Sequence, residues 1–310
     1  MPEPILNENI ARKIEKHCER LHNDLGNPEP PISLDAIREL LRLDKTFYTL
    51  KDPSFLNHFL HKLTIAGQQV LTQPTRLLTA LQKWDIKALW IPEQRQILLD
   101  DSIVAKKKRW AETHEIGHSI LPWHEAYLLG DPESSLSVSC SVKIESEANY
   151  AAGQILFPKQ TFRETLPEVS TIDFKSIKKL SRSFGNSTTS TLWRTVETLD
   201  VPCFGFICED PRLVLPPFIS QNASSSKQTR HFFRSRPFAE RFSHISEEAI
   251  WNYLSEKCTS ARWNLLDNDV VRITDNAGQK LKFHIEAVNL KYYIATFAVC
   301  RSIDCLRQIA

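Results

Sequence analysis

Three things are missing from this 310-residue chain: a net charge of any size, a long apolar run and a cysteine framework. The net charge is +2, so no overall field draws the chain to nucleic acid or to an anionic membrane, and such contact would need a local patch. No stretch approaches the roughly 18 apolar residues that a membrane span requires. The opening MPEPILNENIARKIEKH has no apolar core of the kind a secretory signal carries. The expectation is a soluble, cytoplasmic protein with no membrane partner. Its seven cysteines are odd in number and scattered, unlike the dense pairs of small secreted domains. Cys203/Cys208 and Cys300/Cys305 have spacings unsuited to a metal knuckle and read as buried apolar thiols.

What is present is an ordinary globular composition, 42% hydrophobic and 25% charged, long enough for one large or two modest domains. Helical periodicity runs from Asn9 to about Leu25 and stops at Gly26-Asn27-Pro28. Ser33 is placed to cap a short helix carrying Leu34, Ile37, Leu40 and Leu41 on one face. Further helical runs are expected from Pro53 to Lys83. Ile86–Ile91 and Gln96–Leu99, on either side of Pro92-Glu93-Gln94, then read as a hairpin. Helices follow over Ala105 to about Leu121, about Ser141 to Phe157, and Asp173 to Leu199 with a break at Gly185-Asn186. Val201–Cys208 and Leu213–Leu215 look like short strands. Residues 219–230 are polar and Ser-rich, the clearest linker in the chain. Beyond it come a helix over Ile245–Leu254 and strand-like runs at Arg262–Leu266, Val270–Thr274, Leu281–Val288 and Tyr292–Val299, with turns at Asp275–Gly278 and Asn289-Leu290. The fold class expected is α+β. A helix-rich domain with a short hairpin spans 1–218, and a small helix-plus-antiparallel-sheet domain spans 231–310.

The run that carries chemistry is His114-Glu115-Ile116-Gly117-His118, an H-E-x-x-H pattern inside a helical stretch. Residues four apart share a helix face, so both imidazoles can bind one ion. Zinc suits two neutral imidazoles and a carboxylate, with a fourth position open to water. Glu115, beside the first ligand, leans toward that water and can take its proton as it attacks a peptide carbonyl. The bare pattern recurs by chance, and two histidines on a solvated helix face would give it too. A third ligand is what turns it into a site.

Glu145 and Glu147 supply the candidates. Glu145 and Asn149 are four apart and share a face, whereas Glu147 points nearly the opposite way. Glu145 is therefore the expected ligand and Asn149 a group that orients a histidine through its free ring nitrogen, with Glu147 as the alternative ligand. An acidic helix start favoured by the helix dipole would need no metal at all.

These two segments, His114-Glu-Ile-Gly-His118 and Glu145-Ser-Glu-Ala-Asn-Tyr-Ala-Ala-Gly-Gln-Ile-Leu-Phe-Pro158, resemble the paired motifs of the ImmA/IrrE family of metallopeptidases. The resemblance covers roughly residues 8–200. It implies a zincin-like, gluzincin-type endopeptidase holding Zn2+ through His114, His118 and Glu145, with Glu115 as the catalytic base. It also implies a specific protein substrate, a helix-turn-helix repressor whose cleavage relieves repression. Ala151 and Phe157 depart from the family's usual Phe and Met, and its early histidine after H-E-x-x-H is here His124, beyond Pro122.

His124, Tyr127 and Tyr150 are the candidates to stabilise an oxyanion, and His124 is preferred, although each also reads as a packing or surface residue. Residues 173–199 have helix-turn-helix spacing with a positive cast from Lys175, Lys178, Lys179, Arg182 and Arg194. DNA contact through this unit defines a second function, that of a transcriptional regulator or partner-binding protein with an idle or structural metal site. The plainer reading is a packing or substrate-docking module. Lys106–Arg109 reads as a solvated first turn rather than a basic patch. The C-terminal domain carries no legible motif; in some relatives of the family the corresponding domain resembles a GAF-type sensor.

Overall fold

The computed structural model describes residues 5–48, 88–91, 95–124, 138–210, 230–260, 269–290 and 293–301. The expected helices of 53–83, the strands at 213–215 and 262–266, Tyr127 and, apart from Arg230, the 219–230 linker lie outside the described residues. The fold is α+β, with a three-stranded mixed sheet and a five-stranded antiparallel sheet. By contact the chain divides into two units. One holds Leu6–Lys159 with Phe184–Asn186, and the other holds Gln160–Ser183 and Ser187 onward.

In the first unit, helix α1 (Glu8–Asp24) starts at Asn7, whose side chain accepts the Asn9 N–H, and buries Ile14, Cys18, Leu21 and His22. Helix α2 (Leu34–Leu41) is capped by Ser33, as its sequence predicts. It buries Leu34 and Ile37, while Leu40 is left 43% exposed. Strands β1 (Asp44–Tyr48), β2 (Ala88–Ile91) and β3 (Gln96–Asp100) form a sheet in the order β1-β3-β2. The β2–β3 hairpin is the expected one, pairing Trp90 with Ile97. Strand β1 is an addition, lying parallel to β3 with Asp44 opposite Gln96. Central β3 buries Ile97, Leu98 and Leu99.

Helices α3 (Ala105–Ile120) and α4 (Val138–Leu156) pack on each other; α3 lies against β2 and β3, and α1 against α4. The Glu112 carboxylate on α3 receives Arg38 Nε at 2.7 Å from α2 and Lys45 Nζ at 3.1 Å from β1. Arg109 donates to the Ile32 carbonyl at 2.7 Å and to Asn186 Oδ1 at 3.0 Å, so it ties down loops rather than forming a basic patch. His22 Nε2 lies 3.1 Å from the Ile155 carbonyl and Tyr150 donates to Glu15, fastening α1 to α4, while Lys159, just beyond α4, donates to the same Glu15 carboxylate.

In the second unit, helix α5 (Lys159–Thr165, starting at the boundary) leads to α6 (Phe174–Ser183), α7 (Thr188–Thr198) and strand β4 (Cys203–Glu209). Strand β5 (Arg230–Arg234), helices α8 (Arg236–Arg241) and α9 (Glu247–Ser260), and strands β6 (Asp269–Thr274), β7 (Lys280–Asn289) and β8 (Tyr293–Cys300) follow. The sheet order is β5-β4-β8-β7-β6, antiparallel throughout. Alternation along β4 sends Cys203 and Ile207 to one face and Phe204, Phe206 and Cys208 to the other. The first face is covered by Phe174, Ile177, Leu192 and Val196 of α6 and α7, and the second by Phe238 of α8, Phe242 just after it, and Ile250 and Leu254 of α9.

The sheet therefore draws in more of the chain than the sequence suggests. Strand β4, ahead of the expected linker, pairs with β8 and β5, and the helix-turn-helix spacing belongs to two helices that cover this sheet. Cys18, Cys203 and Cys208 are buried free thiols, as expected for the last two. Cys300, expected as another thiol, is disulfide-bonded. Among the described residues no helix is long and apolar enough to cross a membrane.

Candidate metal centre

Helix α3 presents His114 and His118 one turn apart, and α4 brings Glu145 to them. His114 Nε2 lies 3.1 Å from His118 Nε2 and 3.1 Å from Glu145 Oε2, and His118 Nε2 lies 3.7 Å from Glu145 Oε1. These are the donors of the only cluster of three or more among the described residues that could hold a metal ion, and its atoms all fall within 4.8 Å of one another. A tetrahedral zinc with bonds near 2.05 Å separates its donors by about 3.4 Å; the two histidine nitrogens, 3.1 Å apart, lie close to that value, and each has a different Glu145 oxygen within 3.7 Å. The donor set, two imidazoles and a carboxylate, is also the one zinc favours where a position is left open.

The approach of α4 depends on Gly117. A Cβ at that position would sit 3.0 Å from the Ala148 carbonyl oxygen and 3.2 Å from the Ala151 Cβ. Small residues on both helices thus let the backbones close until Glu145 reaches the histidines. The Ala151 that departs from the family's pattern lies at this contact.

The electrostatics follow from two ring nitrogens and a carboxylate facing one point. Burial works against charge on His114, yet the Glu145 hydrogen bond and the Glu115 and Glu145 carboxylates raise it above the usual imidazole range. Burial likewise opposes charge on Glu145, yet the histidines hold its carboxyl below the ordinary value. Burial and the neighbouring His114 push His118 down to about 3, against the pull of Glu145.

Glu115 stands apart from the donor cluster. Its side chain is buried, and burial raises its carboxyl to about 7, with His114 opposing, Glu145 adding, and a hydrogen bond from the Trp90 backbone of β2 opposing. Asn149 Oδ1 lies 3.0 Å from His114 Nδ1, the orienting contact expected from its spacing.

His124 takes a different place from the expected one. Pro122 does not lead the chain away; 122–124 form a helical turn, and the His124 N–H bonds the Leu121 carbonyl. The His124 ring is fully buried behind His118, with Nδ1 2.9 Å from His118 Nδ1, on the side away from Nε2 and Glu145. An oxyanion donor would have to face the open position, and His124 does not. Glu147, the alternative ligand, lies with His124 instead: its Oε2 is 3.1 Å from His124 Nε2 and accepts Trp123 Nε1 at 2.6 Å. Tyr150 points to Glu15 on α1.

Helix α7, which occupies the DNA-reading position of a helix-turn-helix, carries no exposed residue. Arg194, counted with the basic residues of this unit, is 4% exposed and lies 3.5 Å from Glu197. Lys175, Lys178, Lys179 and Arg182 are exposed, all on α6.

No model of a known protein family matches the chain, and no curated protein matches it. Among solved structures it is similar to a Mycobacterium tuberculosis transcriptional regulator, at 12% sequence identity and a TM-score of 0.52 over 93% of this chain and 87% of that one. That likeness is one of fold.

Proposed function

We propose that the chain is a zinc-dependent endopeptidase of the ImmA/IrrE type that cuts a specific regulatory protein in the cytoplasm, a helix-turn-helix repressor being the substrate class the resemblance implies. The observation that carries this reading is the convergence of His114, His118 and Glu145 with a buried carboxylate, Glu115, left outside the donor set. A purely structural zinc site uses four protein ligands and has no role for such a base.

His114, His118 and Glu145 would hold the ion. An ion there supplies polarisation of a water and of the scissile carbonyl. Glu115 holds the proton taken from the attacking water and returns it to the leaving amine, and its place next to His114 on α3 sets its distance from both. Among the described residues β2 is hydrogen-bonded on one side only, and its Trp90 N–H meets Glu115. An extended substrate added to that edge would bring its peptide bonds past the same carboxylate. Residues 231–310 would serve as a sensory or partner-binding module, by analogy with the GAF-like domains of some relatives.

The test is to incubate zinc-loaded protein with a panel of helix-turn-helix repressors and with casein, and to read new N-termini by mass spectrometry. Wild type is expected to cut one repressor and spare casein. Glu115→Gln is expected to bind zinc normally and cut nothing. Equal cleavage by that variant contradicts the assignment.

A second reading, a transcriptional regulator, is favoured by one observation besides the name of the structural neighbour. Helix α6 carries four exposed cations and no acidic residue. Phosphate contact through α6 predicts salt-sensitive binding of a short duplex that Lys178→Glu with Lys179→Glu abolishes.

A further inference from the structure

Behind the candidate centre, Glu147, His124 and His118 form a buried hydrogen-bonded line. We propose that Glu147 and His124 are positioning residues that fix the proton on His118 Nδ1 and so keep the His118 Nε2 lone pair directed at the centre. The proposal rests on the metal-site reading above, and its direction follows from donor and acceptor chemistry at three contacts.

An indole N–H can only donate, so Glu147 Oε2 accepts from Trp123 Nε1 at 2.6 Å. The same oxygen lies 3.1 Å from His124 Nε2; a carboxylate oxygen only accepts, so with Glu147 as a carboxylate Nε2 carries the proton and donates it. A neutral His124 has its lone pair on Nδ1. The 2.9 Å contact between His124 Nδ1 and His118 Nδ1 can hold one proton, and it must sit on His118. A neutral His118 protonated on Nδ1 has its lone pair on Nε2, the atom facing His114 and Glu145. The reverse order, with His124 donating to His118, puts a proton on His118 Nε2 and removes the lone pair.

The surroundings hold the line in place. His124 and the Glu147 carboxylate are 0% and 2% exposed. The Trp123 ring stands edge-on to His124, at 6.0 Å between centroids, and to His17 at 5.6 Å. Lys143 Nζ lies 4.0 Å from Glu147 Oε1. Helix α4 therefore does two jobs two residues apart. Glu145 faces the ion position, and Glu147 reaches the rear of His118 through His124. The two histidines differ accordingly: His114 rests on a neutral amide, Asn149, and His118 on a carboxylate one imidazole removed.

Outer carboxylates of this kind typically change metal affinity by about 10- to 100-fold. The experiment combines long-range 15N–1H spectra of the imidazoles in metal-free protein with zinc affinity measured by competition against a chelator. Wild type is expected to show His118 protonated on Nδ1 and His124 on Nε2. In Glu147→Gln and His124→Phe, the His118 ring is expected to lose its single tautomer, and zinc affinity to fall by about 10- to 100-fold. A wild-type His118 protonated on Nε2, or variants that bind zinc as tightly as wild type, would overturn the proposal. Wild type that takes up no zinc defeats the metal reading instead, while the tautomers in the same sample still decide this one.

Discussion

The Cβ that Gly117 lacks would lie 3.0 Å from the carbonyl oxygen of Ala148, so the glycine sets how closely α3 and α4 approach. A Cβ there requires α4, the helix that carries Glu145, to give by a few tenths of an ångström. Gly117→Ala is expected to lower stability by about 1–3 kcal/mol, the usual cost of overpacking. It should also weaken zinc binding, although no ligand is altered. Thermal unfolding and zinc competition on the same preparation check both. Unchanged values for both would mean the helices can shift without cost.

A second close approach holds the other unit. A Cβ on Gly205 would fall 2.1 Å from Phe233 Cε2, and Phe233 is stacked on Trp193 with centroids 4.5 Å apart. The ring cannot move aside without leaving α7. Gly205→Ala is expected to cost about 1–3 kcal/mol in urea unfolding. Trp193→Ala, which frees space beside the ring, should make the Gly205→Ala change less costly in a double-mutant cycle.

Acid should weaken the second unit through Asp275. Arg241 Nε donates to its carboxylate at 2.7 Å and holds the carboxyl below its ordinary value, helped by the Gln279 and Ala277 N–H groups. A group with a depressed folded value stabilises fully above its unfolded value, near about 3.9, and loses that contribution as pH falls through the folded value. Asp275→Asn should therefore be less stable than wild type at neutral pH, and the gap should narrow in strongly acid solution. Denaturant unfolding across pH 2–7 (roughly the range in which carboxyls titrate) reads the difference. A gap independent of pH would assign Asp275 a role other than charge.

Local signals were legible in the sequence and long-range ones were not. The Ser33 cap, the H-E-x-x-H helix, the Glu145/Asn149 face and the β2–β3 hairpin each depend on residues close in the chain, and each is present. Strand β1 escaped because Asp44–Tyr48 has little apolar alternation and finds its parallel partner some fifty residues later. Helices α6 and α7 showed their apolar stripes, but a stripe does not say what covers it, and here it is a sheet whose last strand ends at Cys300. His124 was noticed for the wrong reason. Pro122 suggested a chain leaving the helix, and only the turn back at 122–124 puts the ring behind His118, where Glu147 meets it.

The central claim is that His114, His118 and Glu145 hold one ion. Its most direct test is the metal content of purified, zinc-supplied protein, wild type beside His118→Ala and Glu145→Ala. About one zinc per chain in wild type, lost in both variants, is the predicted result. Wild type that retains no zinc, or variants that keep it, would contradict the account.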